Sequence, residues 1–230
     1  MLENDYQPPP LTFAEPGSSW GELAARFPTT NLWPIFGAGH CYRDRPGVRH
    51  THWRDDPPTP ATTLREQFGL DRRDEYDIQE DDFCFECGVV RDRSGELSIG
   101  NPSGDGDFLR ALDRWRDEEE RPALIAAENA WDCLAELGWT GAVNSGMLGA
   151  DASVVLESWQ RRFGAYVFSA YGASLELVVA RPPTTVEDAR LLAREHFHFC
   201  RYDSQFHGTG GIGPYVRQLV GSHSWSFWWD

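Results

Sequence analysis

Lysine is missing from this chain of 230 residues; all 21 basic residues are arginine. Schiff-base and amine-nucleophile chemistry from a side chain are thereby excluded. So is the lysine of a phosphate-binding P-loop. High-GC coding is the ordinary explanation, and escape from lysine-directed modification is a second. Long apolar runs are lacking as well: no segment approaches the roughly 20 apolar residues of a membrane span. The start, Met1-Leu2-Glu3-Asn4-Asp5, is acidic where a secretory leader is basic. Cysteine is sparse, and the five residues are odd in number and scattered. Together these features predict a cytoplasmic protein with reduced thiols. Positive charge is also scarce. Against 36 acidic residues the arginines leave a net charge of −15. Such a surface repels phosphate backbones and anionic lipid, which argues against nucleic acid and membranes as partners. It favours a basic protein partner or plain solubility. No Ser-His-Asp order, HExxH helix or nucleotide fingerprint is present. The glycine-rich run Gly208–Gly213 lacks the strand and lysine of a phosphate loop and reads as a connector.

What is present is a chain long enough to bury a real core. Its elements mix without a regular βα repeat, which predicts an α+β fold. The expected form is a mixed, mainly antiparallel sheet with flanking helices. A loop-rich N-terminal part, residues 1–122, packs on a C-terminal α+β domain, residues 123–230. In the first part, helices are expected over Trp20–Phe27, capped by Ser18 or Ser19, and over Phe108–Glu119. Strands are expected over Leu32–Phe36, Phe83–Val90 and Glu96–Ile99. The stretch Leu70–Asp82 is acidic and reads as solvated. In the second part the pattern is cleaner. Ala123–Ala126 is a strand and Asn129–Leu137 a helix ended by Gly138. Ala152–Phe163 is a helix with Val155, Leu156, Trp159 and Phe163 on one face. Tyr166–Ala170 and Leu175–Ala180 form a hairpin. Thr185 caps a helix Val186–Phe199, Pro214–Val220 is a short helix, and Ser224–Trp229 is a strand. The chain carries ten tryptophans. On the last strand Trp225, Phe227 and Trp229 share one side and are expected to be buried, with Trp228 opposite.

Chemistry-bearing residues gather in two places. Glu195, His196 and Cys200 end the helix Val186–Phe199, with Asp203 and His207 following. His196 and Cys200 stand four apart and so share a helical face. These groups suit a metal or an activated thiol. The competing structural reading places Cys200 in the core and has His196 capping a carbonyl or carboxylate. Second, Cys84 and Cys87 form a C-x-x-C, with His40, Cys41, His50 and His52 upstream as the remaining ligands of a tetrahedral zinc. A strand over Phe83–Val90 would instead point the two cysteines to opposite faces. The expectation is therefore no metal and no cofactor. The loop Gly138–Asn144, with two glycines, Trp139 and Asn144, reads equally as a loop that holds a ligand and as a strained connection in which Asn144 ties down backbone.

Several motifs resemble the bacterial domain of unknown function 4253 family. They are W-Q-R-R-F-G-A at Trp159–Ala165, A-R-P-P at Ala180–Pro183, E-H-F-H-F-C at Glu195–Cys200, a loop with Gln205 and Gly208, and the closing W-S-F-W-W-D at Trp225–Asp230. G-W-T-G-A-V-N at Gly138–Asn144 and T-N-L-W-P-I-F at Thr30–Phe36 are similar too. Where the family follows its E-H-x-x-F-C helix with Pro-Asp-Asn, this chain has Arg201-Tyr202-Asp203-Ser204. The resemblance implies no activity, because none is assigned to the family; it marks Glu195, His196 and Cys200 as recurring residues. The candidate binding residues are Trp139, Asn144, Gln205, His207 and Trp228. The function expected first is an acidic, cytoplasmic protein-binding protein of immunity or antitoxin type. The alternative is an enzyme or metal protein using Glu195, His196, Cys200 and Asp203, and a structural adaptor is the third.

Overall fold

Caps and turns set the boundaries in the computed structural model, which describes residues 6–48, 105–112, 120–145, 147–200, 209 and 212–229. The hydroxyl of Ser19 accepts the Glu22 N–H at 3.0 Å and opens α1 (Trp20–Ala25). A single turn, α2 (Phe27–Thr30), ends at Asn31, whose φ of 53° turns the chain into β1 (Leu32–Ile35). Asn tolerates this left-handed geometry better than most residues. α3 (Asp105–Ala111) starts three residues before the helix expected from Phe108, and β2 occupies Ala123–Ala126. The helix expected over Asn129–Leu137 divides into a 3-10 turn, Ala130–Asp132, and α4 (Cys133–Leu137).

α5 (Gly149–Phe163) begins three residues earlier than its apolar stripe suggests, because the Asp151 carboxylate reaches back to the Leu148 N–H at 2.9 Å. It stops at Gly164, with φ 61°. A Cβ there would stand 2.8 Å from the Ala180 Cβ and 2.9 Å from the Asp105 carboxylate, so glycine is required twice over. β3 (Ala165–Tyr171) follows directly and turns through Gly172-Ala173 into β4 (Ser174–Val179). Thr185 caps α6 (Val186–Phe199), accepting the Asp188 N–H at 3.1 Å. α7 (Ile212–Leu219) and β5 (Ser224–Trp228) complete the described elements. The strands expected over Phe83–Val90 and Glu96–Ile99 lie outside the described residues.

β1 and β2 pair antiparallel, and β3, β4 and β5 form a second antiparallel sheet in that order. Helices flank these sheets, as an α+β fold requires. Phe36 joins the two sheets. Its N–H donates to the Phe168 carbonyl at 3.1 Å and its carbonyl accepts from the Ala170 N–H at 2.9 Å, so the chain past β1 runs parallel to β3. The division expected at residue 122 falls inside these pairings. Phe13 bridges Ala123, and β1 from the first part pairs with β2 from the second.

Two aromatic clusters fill the interior. In one, Trp225, Phe227 and Trp229 are 1, 2 and 1% exposed, as their alternation on the last strand predicts. The Trp159 ring lies parallel to Phe227, centroids 5.5 Å apart, and meets Trp225 and Phe199 edge-on. In the other, Trp20, Trp33, Phe36 and Phe168 interlock around β1. The Trp33 indole N–H donates to the Val167 carbonyl at 2.8 Å, tying β1 to β3.

Candidate functional site

Glu195 and His196 both lie on α6 and both are fully buried. The Glu195 carboxylate receives the Arg162 guanidinium at both oxygens, 2.9 Å at Oε1 and 2.6 Å at Oε2. The Trp159 indole N–H donates to Oε2 at 2.7 Å, and Arg162 Nε donates to the Ser158 hydroxyl at 3.1 Å. The carboxylate is thus filled by three charge-assisted or indole donors from α5, an arrangement that burial requires of any enclosed ion pair. His196 turns elsewhere. Its Nδ1 stands 2.7 Å from the Tyr215 hydroxyl on α7, where a carbonyl or carboxylate partner was the expectation. Its ring is enclosed by Trp159, Trp225 and Phe227, with centroids 4.7 to 4.9 Å away. Nε2 has no hydrogen-bond partner among the described residues. Burial first, and the Arg162 charge second, hold the imidazole pKa well below its ordinary value, so it is neutral. Cys200 caps α6 and its buried thiol donates to the Trp228 carbonyl at 3.1 Å. Helical spacing places these three residues close in sequence, but each addresses a different partner and none lines an open surface. Asp203, Gln205 and His207 lie outside the described residues.

Arg162 is the residue missed by sequence reasoning. It stands three positions after Trp159 on the buried stripe of α5, and an arginine in such a stripe calls for a carboxylate partner. That signal was available.

Of the zinc candidates, Cys84, Cys87, His50 and His52 lie outside the described residues. His40 is exposed and stacks on Tyr171 with centroids 4.6 Å apart. The neighbouring Cys41 thiol donates to the Ala170 carbonyl at 3.1 Å, and burial pushes its pKa up to about 11. A thiol so held is a weak nucleophile. No group of three or more His, Cys, Asp or Glu suited to a metal occurs among the described residues.

The candidate binding residues separate by depth. Trp139 is fully buried, donates its indole N–H to the Gly172 carbonyl at 3.1 Å and packs edge-on against Trp229. It fastens the β3–β4 hairpin to the core and presents no face to a partner. Asn144 is exposed on a 3-10 turn, Val143–Ser145, and Trp228 is 46% exposed on the outer side of β5.

A concave surface lies elsewhere among the described residues. An open cleft of about 550 Å³ is bounded by α1, α2 and β1 on one side, by the first turn of α3, and by residues 128–131 with Gln160 and Tyr166. Its aromatic walls come from Phe27, Trp33, Trp131 and Tyr166. Trp33 and Tyr166 stack with centroids 5.5 Å apart, and Phe27 meets Trp33 edge-on. Asp105 lies in the wall, its carboxylate accepting from the Tyr166 hydroxyl at 2.8 Å and paired with Arg181. Burial, and then the Asp105 charge, raise the Tyr166 pKa, so the phenol stays protonated. At the rim, Glu128 is exposed and makes no hydrogen bond or ion pair among the described residues. Asp132 accepts from Asn129 at 3.0 Å; burial and the nearby Glu157 and Glu128 charges raise its pKa. Arg161 lies over the Trp131 ring, 5.1 Å from the centroid, and pairs with Glu157. The cleft was not read from the sequence because its walls come from five separated segments, none carrying a spacing of its own.

No helix among the described residues is long and apolar enough to cross a membrane. No curated protein and no solved structure matches the chain. A family model does match, over residues 121–230, and its description is a domain of unknown function. The matched span holds α5, α6, the β3–β4–β5 sheet and the Arg162–Glu195 pair, the parts in which the motif resemblance is densest. Over residues 121–230 the chain is thus similar to the family described as a domain of unknown function, DUF4253.

Proposed function

We propose that this chain is an acidic, cytoplasmic binding protein that occupies a basic protein partner, in the manner of an immunity or antitoxin protein. The observation that carries this reading is the excess of 36 acidic over 21 basic residues. A surface charged in this way accelerates encounter with a basic partner and disfavours others. The enclosure of Glu195 and His196 supports it from the other side, because both side chains are fully buried against Arg162, Trp159 and Tyr215 and present no surface to solvent.

The experiment is affinity capture on the immobilised chain, identification of the retained protein, and association kinetics with that protein purified. A basic partner is expected, with an association rate that falls about tenfold or more as salt rises from about 0.05 to 0.5 M, since charge is screened over about 10 Å at the low end of physiological salt. The acidic run Asp71–Asp82 lies outside the described residues. Neutralising Asp71, Asp74, Asp77 and Glu80 there is expected to slow association more than it speeds dissociation. A partner indifferent to salt and to these substitutions would sink the reading. Elemental analysis belongs to the same test: near-equimolar zinc that disappears in Cys84→Ser would transfer the argument to the metal reading.

A further inference from the structure

The geometry of the cleft points to its occupant: we infer that it receives the guanidinium of an arginine side chain projecting from the basic partner. This rests on the reading above and deepens it by naming the group recognised. Guanidinium is flat, cationic and fork-shaped, so it lies on aromatic rings and donates edge-on to a carboxylate at the same time. The cleft offers both surfaces, with Trp131 and Tyr166 in its walls and Glu128 at the rim without a hydrogen-bond or ion-pair partner among the described residues. The charge is complementary. The charged residues that line the cleft, Asp105 and Glu128, are both acidic, and the Asp132 carboxylate beyond the rim feels the charge of Glu128. The chain already uses this chemistry at the same place. Arg161 lies over the Trp131 ring while pairing with Glu157, and Arg181 holds Asp105. A volume of about 550 Å³ accommodates a side chain of this size with room for its bridging waters.

The probe is an arginine residue blocked at both ends, titrated into the full chain and followed by the NMR shifts of the indole N–H groups. The neutral isostere, blocked citrulline, serves as the control. Saturable binding of the arginine probe is expected, with the Trp131 signal among those that move and citrulline at least about fivefold weaker, the scale of one cation–ring contact. Glu128→Gln and Trp131→Ala are each expected to weaken the arginine probe by a similar factor. Glu128 is exposed and Trp131 only partly buried, so both variants retain the fold, which their melting curves verify. Equal binding of citrulline, or variants that bind the arginine probe unchanged, overturns the assignment. Failure of the two readings separates cleanly. If a basic partner binds with salt-dependent kinetics but Glu128→Gln and Trp131→Ala leave its affinity unchanged, the cleft assignment is wrong and the acidic-binding reading stands. If the arginine probe saturates and is lost in both variants while no basic protein is captured, the cleft assignment stands and the partner reading is wrong.

Discussion

The molecule uses one polar device twice, once in the closed interior and once beside the cleft. In the interior, Glu195 is held by Arg162 and by the Trp159 indole N–H; at the cleft, Asp105 is held by Arg181 and by the Tyr166 hydroxyl. Each is a carboxylate, an arginine and one aromatic donor. The first set has side chains 8% and 0% exposed for Arg162 and Glu195, whereas the second has 15% and 7% for Arg181 and Asp105. The difference lies in what surrounds them. Glu195 sits against a closed stack of rings, whereas Asp105 has the cleft on one side. The same chemical set is therefore a structural fastener in one place and part of a recognisable wall in the other. Residue type alone does not distinguish them; access to water does.

The sharpest way to break this contrast is to remove the cover of the interior set. Deleting Trp225–Asp230 strips two fully buried indoles and a phenyl from the Trp159–His196 stack. Each such ring contributes about 3–5 kcal/mol against truncation, together more than a typical domain's net stability. The deletion is expected to abolish the cooperative transition in thermal and denaturant unfolding. A soluble deletion product that melts cooperatively would show that the aromatic stack is not what closes the fold.

Next in size is the comparison of the two carboxylates themselves. Glu195→Ala leaves the Arg162 charge buried without its partner and is expected to cost about 3–5 kcal/mol. Asp105→Ala is expected to cost about 1–2 kcal/mol, because the Arg181 side chain is 15% exposed and keeps some hydration. Denaturant midpoints measured with an unchanged m-value decide it. Replacing the interior pair together, as Arg162→Met with Glu195→Leu, should recover most of the loss. Equal costs at Glu195 and Asp105 would show that the two carboxylate sets are energetically alike.

The smallest effect concerns pH. His196 is neutral in the folded chain with its pKa held well below the usual value by burial, while in the unfolded chain it titrates near 6.5. Below about 6.5 the unfolded state binds the proton and the folded state does not, so stability is complete above that pH and declines as pH falls through it. The decline is at most about 1.4 kcal/mol per pH unit, until the carboxylates begin to titrate. His196→Phe should flatten the slope between about pH 6.5 and 5, and a slope unaffected by that substitution would place the titrating group elsewhere.

Much of this architecture was legible in the residues. Thr185 and Gly164 announced the start of α6 and the end of α5, since capping and left-handed geometry are local properties written in one or two positions. The alternation at Trp225, Phe227 and Trp229 gave the buried face of β5 for the same reason. The hairpin was legible from Gly172 and its flanking apolar runs. What escaped is non-local. Nothing in Leu32–Ile35 specifies pairing with Ala123–Ala126 across 87 intervening positions, or the link through Phe36 to β3. The site followed the same division. Glu195, His196 and Cys200 stood out as chemical residue types, but their roles depend on Arg162, Trp159, Tyr215 and the Trp228 carbonyl, which only the fold brings near. The cleft was invisible because concavity belongs to no single segment.

The aromatic packing also makes the protein its own optical instrument. Trp159 and Trp225 lie 5.7 Å apart at 83°, and Trp139 and Trp229 lie 5.4 Å apart at 69°. Indole transitions held at such separations and fixed angles couple, and the coupling disappears once the rings rotate independently. Circular dichroism of the unmodified chain should therefore carry an exciton signature that reports closure of the aromatic stack and distorts helix content read from the same spectrum. Trp228, alone among the tryptophans from Trp225 to Trp229 in being substantially exposed, supplies the complementary signal. Its emission answers to whatever touches the outer side of β5 while the enclosed rings answer only to unfolding.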